Sequence, residues 1–303
     1  MHGFLNVNKP AGMSSFAVVK RVRKYFKKRR VGHLGTLDPM AEGVLPIAVG
    51  AATRIIEFIM DVPKGYRAEM TLGAVSDTQD AWGVLTYISE KRDCELPELK
   101  QVLESFRGEI QQVPPMYSAL NYQGQRLYQL ARQGVSVDVK PRSVTIYSLE
   151  LVEAPPGNRL DRVVLDVVCS KGTYIRTLCH DIGQILGCGA YLSGLVRYSS
   201  GSFRLEEAIE LEKLEQQLAH GEYSTLLPLD YPINHLSRVV LQDKEDVRKI
   251  LNGNTIDIET GSYAGPVRIY SPEGQLLALG RILTDSSGQI RVKPDKVFNY
   301  NKG

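Results

Sequence analysis

The chain has 303 residues, 43% hydrophobic and 23% charged, with a formal net charge of +3; this composition excludes a disordered or fibrous protein and leaves room for a large domain with a smaller one. No apolar run reaches the length of a membrane span, and the opening Met1-His2-Gly3-Phe4-Leu5-Asn6-Val7-Asn8 lacks the charged-then-apolar pattern of an export signal, so a cytoplasmic protein without membrane attachment is expected. Cys94, Cys169, Cys179 and Cys188 lie far apart with no Cys-x-x-Cys pair, which predicts buried thiols; Cys179 and His180 are adjacent, but neighbours on a helix point in different directions, which argues against a catalytic pair.

In chain order, Ser14-Ser15 caps a predicted helix running to about Arg30, with Val18, Val19, Val22 and Phe26 on one face. Residues 1–37 contain nine Lys or Arg and no Asp or Glu, and eight of the nine fall within residues 20–30. Lys20 and Lys24 thus belong to a one-signed stripe that attracts polyanions, nucleic acid foremost, although a plain solvated face has the same composition. Residues 32–43, Gly32-His33-Leu34-Gly35-Thr36-Leu37-Asp38-Pro39-Met40-Ala41-Glu42-Gly43, have no period; three glycines and a proline predict a shaped loop. The apolar run 44–50 suits a buried strand, Tyr66 to Leu72 alternates with period two, and Leu96 to Phe106 is an amphipathic helix with Pro97 near its start.

Ser143 to Glu153 and Arg162 to Ser170 read as a long hairpin around Pro155-Pro156-Gly157-Asn158, and Thr173 to Leu186 as a helix closed by Gly187. Leu205 to Ala219 is a predicted acidic helix. Strands and helices interleave irregularly, which predicts an α+β fold with a mixed, mostly antiparallel sheet flanked by helices. The prolines of Leu227-Pro228-Leu229-Asp230-Tyr231-Pro232 mark a boundary, dividing the chain into domains 1–232 and 236–303. In the second, short alternating segments (Val267 to Tyr270, Gln275 to Arg281, Gln289 to Val292) separated by Pro-Glu-Gly and Ser-Ser-Gly turns predict a small β-barrel or sandwich.

Asp38 is the leading candidate for chemistry, at the end of a glycine-bearing loop beside the basic helix. Residue type alone leaves three readings: a cap or turn anchor, a metal ligand, or a nucleophile or base. The metal reading is weak, since a hard cation needs several oxygens and only Glu42 is near in sequence; Asp77-Thr78-Gln79-Asp80 lacks a calcium-loop spacing.

Five blocks resemble, in order, the bacterial tRNA pseudouridine-55 synthases of the TruB family: Asn8-Lys9-Pro10-Ala11-Gly12-Met13-Ser14-Ser15, Gly32 to Pro39, Lys64-Gly65-Tyr66-Arg67, Gln112-Val113-Pro114-Pro115-Met116-Tyr117-Ser118-Ala119 and Lys171-Gly172-Thr173-Tyr174-Ile175-Arg176-Thr177. The resemblance spans residues 3 to about 200 and is looser over the tail, which is similar in length and pattern to the family's PUA-like RNA-binding domain. It implies isomerisation of uridine 55 in the T-loop of tRNA by base flipping, with Asp38 as nucleophile and Arg176 paired with it. It further implies that Tyr66 stacks on the uracil and takes part in proton transfer, that Tyr174 and Leu195 line the base pocket, and that His33 takes up the space the extruded nucleotide leaves. Substrate and product are isomers, so neither metal nor organic cofactor is implied. The partner implied is tRNA, through its T-arm and acceptor side, with no obligate protein partner and a monomeric enzyme. Asn121 and Ser76 stand where the family commonly has Lys and Thr, away from the proposed chemistry. A non-enzymatic RNA-folding helper shares the basic stripe and tyrosines but gives no reason for Asp38 and Arg176 to occur together. A methyltransferase or deaminase lacks its marks, since no Gly-rich loop follows a strand and no zinc-deaminase His/Cys spacing is present.

Overall fold

The computed structural model describes residues 1–88, 93–156, 159–258, 263, 265–286, 288–298 and 300. Its first half contains β1 (Gly3–Lys9), α1 (Ser15–Arg23), β2 (Val31–His33), β3 (Glu42–Val49), β4 (Lys64–Leu72), β5 (Ala74–Ser76), β6 (Leu85–Tyr87), α2 (Leu96–Ser105), β7 (Gly108–Gln112) and α3 (Leu127–Arg132). There follow β8 (Arg142–Glu153), β9 (Arg162–Cys169), α4 (Ile175–Leu186), β10 (Ala190–Ser200), β11 (Phe203–Arg204), β12 (Ile209–Glu210) and α5 (Leu211–Ala219). The last are β13 (Ser237–Val240), α6 (Lys244–Leu251), β14 (Ile256–Asp257), β15 (Pro266–Tyr270), β16 (Leu276–Thr284) and β17 (Ile290–Val297).

Among the described residues, ten strands form one sheet in the order β12-β1-β3-β10-β4-β9-β8-β7, with β2 beside β3 and β11 beside β10. Only β12/β1 and β3/β10 pair in parallel, which gives the mixed, mostly antiparallel sheet that the interleaved pattern predicts. The near-continuous apolar run of β3 has a physical cause: both faces of this part of the sheet are covered. Leu5, Val7, Leu45 and Ile47 join a core with Val18, Val19 and Val22 of α1, Leu178 and Ile182 of α4, and Leu211, Leu214 and Leu218 of α5. Phe4, Val44 and Ala48 point the other way, into a second core that Tyr270, Leu276, Leu279 and Phe298 of the C-terminal region complete. The C-terminal sheet, in the order β13-β15-β16-β17-β14, therefore seals one face of the larger sheet. All four cysteines are buried, Cys179 within the core, so the adjacent His180 has no exposed thiol beside it.

Two predicted elements differ from the structure, and one helix of the structure has no counterpart among them. The first helix ends at Arg23, where three-residue turns take over (Tyr25 N–H to Val22 O, Phe26 N–H to Arg23 O, Arg29 N–H to Phe26 O) and Lys28 adopts φ 64°. Phe26 in these turns is buried against Tyr223. The basic stripe is consequently split between a helix and a turn, and Arg21 is taken up by Glu212 and Glu215 of α5. The predicted helix 205–219 begins only at Leu211, because Ile209 and Glu210 instead pair with Val7 and Asn8 as a sheet edge. In the C-terminal region α6 was not foreseen; its start is capped by Asp243, whose carboxylate accepts from Asp246 N–H at 2.8 Å. The β8/β9 hairpin is present, with register shifts between Ile146 and Ser148 and between Leu151 and Glu153, although Gly157 and Asn158 of its turn, like Ser287 of the Ser-Ser-Gly turn, lie outside the described residues.

The parallel β3/β10 pairing, Arg197 opposite Gly43, is where the two halves of the sheet join. Gly43 has φ +101°, and a Cβ there would lie 2.3 Å from the Arg197 carbonyl oxygen. Gly43→Ala is therefore expected to destabilise the fold by about 1–3 kcal/mol, through a disfavoured backbone and a contact that backbone atoms cannot yield; a urea midpoint equal to that of the wild type would refute this.

Candidate active site

The loop between β2 and β3 carries Asp38, and its shape is imposed from within. Arg197, fully buried on β10, donates from Nε to Val44 O at 2.7 Å, from Nη2 to Gly35 O at 3.2 Å and from Nη1 to Thr36 O at 3.5 Å. Lys9, fully buried at the end of β1, donates from Nζ to Met13 O at 2.6 Å, Pro10 O at 2.8 Å and Pro39 O at 3.4 Å. Ser15 clamps the middle: its hydroxyl donates to Leu37 O at 3.0 Å and accepts from Leu37 N–H at 2.8 Å. Burying a cation is costly unless its donors are satisfied, and here loop carbonyls supply that satisfaction. The cations and the loop conformation are thus mutually dependent.

Held this way, Asp38 meets Arg176 of α4, with Nε 2.9 Å from Oδ2. This is an ion pair by distance rather than a well-aligned hydrogen bond. Arg176 is 4% exposed and also donates from Nη1 to Thr78 O at 3.0 Å and from Nη2 to Tyr117 O at 2.8 Å, with Asp80 Oδ2 3.4 Å from Nη1. The Asp38 side chain, by contrast, keeps 36% of its surface open to a cavity. Protein nonetheless surrounds it closely enough that burial lifts its carboxyl above the ordinary range; Arg176 pulls it back, Asp80 adds to the rise, and Lys9 opposes it.

Asp38 lies between two cavities. The inner, of about 380 Å³, is lined by Asp38, Tyr66, Tyr174, Arg176, Leu195 and Arg197 among others. Tyr66 and Leu195 come from the paired strands β4 and β10, where Leu195 lies opposite Ala68 and Tyr66 opposite Arg197. Burial pushes the Tyr66 phenol upward, while the charge and hydrogen bond of Arg197 work against it. Tyr174 precedes α4 and is fixed by Gln112, whose side-chain amide accepts from Tyr174 N–H at 3.0 Å and donates to Tyr174 O at 3.2 Å. The outer cavity, of about 570 Å³, is lined by His33, Asp38 and Arg176 together with Phe16, Trp82, Tyr117, Tyr128 and Arg132. His33 is pushed below the ordinary histidine value by burial and by Arg197, so it is neutral at pH 7.

The structure thus gathers Asp38, Tyr66, Tyr174, Arg176 and Leu195 at one cavity and places His33 at the adjoining one. It leaves Lys20 exposed on α1 and Lys24 exposed just past its end, both outside the lining of either cavity. Asp38 is not consumed as a cap, since its carboxylate faces a cavity and a guanidinium. Sequence reasoning did not assign the loop-holding parts of Lys9 and Arg197 or the place of Asp80 beside Arg176. A lysine or arginine in a sequence is read as exposed, and nothing local marks these two as buried. Among the described residues no group of three His, Cys, Asp or Glu side chains is placed to hold a metal ion, and no helix is long and apolar enough to cross a membrane.

The chain as a whole is similar to known proteins. Residues 23–175 match the family model described as TruB family pseudouridylate synthase (N terminal domain), and residues 176–240 match the tRNA pseudouridylate synthase B C-terminal domain. The chain is 52% identical, over the full length of both, to the tRNA pseudouridine synthase B of Syntrophomonas wolfei subsp. wolfei. It is 43% identical to that of Moorella thermoacetica, over 98% of this chain and 99% of the relative. Among solved structures, it superposes with a TM-score of 0.72 on a chain of an H/ACA RNP bound to a substrate RNA containing 2'-deoxyuridine, at 27% identity over 99% of this chain and 86% of that one. A Cbf5-Nop10-Gar1 complex gives the same TM-score at 29% identity, over 98% and 85%. The fold is that of a pseudouridine synthase. The chain belongs to the TruB family of pseudouridylate synthases.

The buried ammonium of Lys9 makes a measurable prediction. Burial lowers it from 10.5 to about 8, with Asp38 and Glu42 opposing the fall and Arg197 adding to it. Below about pH 8 the folded chain bears the full penalty of the buried charge; as pH rises from about 8 to 10.5 it sheds this proton before the unfolded chain does, so stability increases. The unfolding free energy of the wild type minus that of Lys9→Met is expected to rise across this window. A pH-independent difference in denaturant titrations would show that Lys9 is not perturbed.

Proposed function

We propose that this chain isomerises uridine 55 in the T-loop of tRNA to pseudouridine by base flipping, with Asp38 as the nucleophile. The observation that carries the reading is the Asp38 carboxylate opening into a cavity while ion-paired to a buried arginine, with tyrosines and a leucine lining the same space. Pseudouridylation of tRNA is the activity named for the full-length relatives.

The chemistry follows from what the reaction needs. A uridine in a folded loop must leave its stack before N1–C1′ can break, and an aromatic pocket offsets the lost stacking. Tyr66 stacks on the uracil, Tyr174 and Leu195 line the space around it, and neutral His33 occupies the position the nucleotide vacates. An ionised carboxylate at Asp38 can attack C1′, add to C6 or assist a glycal-type intermediate, and each route requires it deprotonated. Arg176 favours that charge against the burial that opposes it. Tyr66, whose phenol burial keeps protonated, assists proton transfer at the rotated ring. No cofactor is required, because nothing is gained or lost between substrate and product.

Lys20 and Lys24 grip RNA phosphates. Residues 1–232 form the catalytic domain in this reading, and residues 236–303 a PUA-like domain that adds affinity for the acceptor side of tRNA. The enzyme acts as a cytoplasmic monomer without an obligate protein partner.

The decisive test is tritium release from a tRNA transcript labelled at C5 of uridine, since forming the C5–C1′ bond expels that hydrogen. Wild type is expected to release it and Asp38→Asn to release none above background; release by Asp38→Asn would remove the nucleophile from this mechanism. Because burial raises the Asp38 carboxyl, activity is expected to fall, as pH is lowered, above the ordinary carboxylate range. Arg176→Met should move that acid limb to still higher pH, and an unmoved limb would refute the electrostatic role of the arginine. For Lys20→Ala/Lys24→Ala, the slope of log binding constant against log salt is expected to become shallower by about 1–2, the loss of one or two phosphate contacts. An unchanged slope would place the RNA elsewhere.

A further inference from the structure

We propose that the outer cavity is a second nucleobase site, in which the indole of Trp82 stacks on the unpaired base flanking the extruded uridine. This rests on the RNA-modifying reading above and adds to it a specificity contact at a residue to which neither family resemblance nor motif gives a part.

Trp82 is the sole tryptophan of the chain and is 61% exposed. An isolated exposed aromatic needs no explanation, but this one is neither isolated nor loosely held. Phe16, 65% exposed at the second position of α1, lines the same cavity, as do Tyr117, Tyr128 and Arg132, whose guanidinium lies 5.5 Å from the Tyr128 ring centroid. Aromatic faces interleaved with a cation suit stacked bases and a phosphate.

The turn that presents the indole is rigid. Trp82 N–H donates to Asp80 Oδ1 at 3.0 Å, Thr78 Oγ1 donates to the same oxygen at 2.7 Å, and Ala81 N–H donates to Leu192 O at 2.9 Å. A Cβ at Gly83 would lie 2.2–2.4 Å from the side chains of Asp77, Ser76 and Thr78, so the turn closes tightly after the tryptophan. The other Asp80 oxygen, Oδ2, faces Arg176 at 3.4 Å. One carboxylate therefore fixes both the backbone that carries Trp82 and the arginine that pairs with Asp38.

That shared anchor identifies the occupant. The two cavities have Thr36, Leu37, Asp38, Ser118, Ala119 and Arg176 in common, so a group in the outer one lies directly beside the nucleophile. With a uridine in the inner cavity, the group tethered closest to it is the next nucleotide of the same strand. A base removed from its own stack gains most from a preformed aromatic face.

Because Trp82 is the only tryptophan, its fluorescence reports the site directly. The full-length protein is titrated with a T-arm stem-loop RNA and with two versions that are abasic immediately 5′ or 3′ of the target uridine. Intact RNA is expected to quench the emission, and one of the abasic RNAs to fail to do so. In tritium-release kinetics, Trp82→Ala is expected to raise KM roughly tenfold, the loss of one base–aromatic stack, with kcat changed far less, and Trp82→Phe to restore most of that loss. Equal quenching by all three RNAs, or a wild-type KM for Trp82→Ala, would overturn the proposal. If the wild type shows the abasic-sensitive quenching yet releases no tritium, the second-base site stands and the isomerase reading falls.

Discussion

Four separated stretches of the chain meet at one guanidinium. Arg176 contacts Asp38 in the β2–β3 loop, Thr78 and Asp80 in the turn after β5, and Tyr117 in the segment after β7, while itself belonging to the first turn of α4. Buried arginine suits this work because its planar fork offers five donors in fixed directions, so each partner constrains the position of the others. Displacing any one of these segments would leave donors of a buried cation unmatched, a cost comparable to that of breaking a buried ion pair. The site is thus assembled by charge satisfaction as much as by packing.

The same logic operates one layer below. Arg197 binds the Gly35 and Thr36 carbonyls of the Asp38 loop, Lys9 ties Pro39 O of that loop to Pro10 O and Met13 O of the segment between β1 and α1, and Ser15 secures Leu37 from both sides. The loop has little regular hydrogen bonding of its own, so buried side-chain donors take the part a sheet ladder would otherwise play. Gly43 is what lets β3 approach β10 closely enough for Arg197 to reach that loop. The apolar faces of β1 and β3, covered on one side by α1 and α5 and on the other by the C-terminal sheet, provide the rigid base on which these donors are set.

The electrostatic balance at Asp38 is a competition in which neither side is negligible. Burial and Asp80 favour the protonated carboxyl; Arg176 and Lys9 favour the charge. A carboxylate kept in water would need no such support but would be solvated and a poorer nucleophile, whereas one buried without the arginine would protonate. Partial exposure to a cavity beside a fully engaged guanidinium lies between these limits.

What the sequence determined by itself was local. Period-two alternation located β4, β8 and β9, glycine at 187 closed α4, and the glycines and proline of residues 32–39 announced a shaped loop, because these patterns depend on backbone geometry within a few residues. Residue chemistry alone left Asp38 among three readings; the resemblance of five blocks to a family singled out the nucleophile reading and its pairing with Arg176. Tertiary structure decided the rest. It ended α1 at Arg23 in a series of turns, turned residues 209–210 into a sheet edge, and buried Lys9 and Arg197, residues whose chemistry suggests a surface. It also brought Asp80, Tyr117 and Trp82 to the rim of the Asp38 cavity. The convergence of side chains as far apart in the chain as residues 38, 80, 117 and 176 depends on strand order and register, which arise from long-range pairing and leave no trace in any short window of sequence.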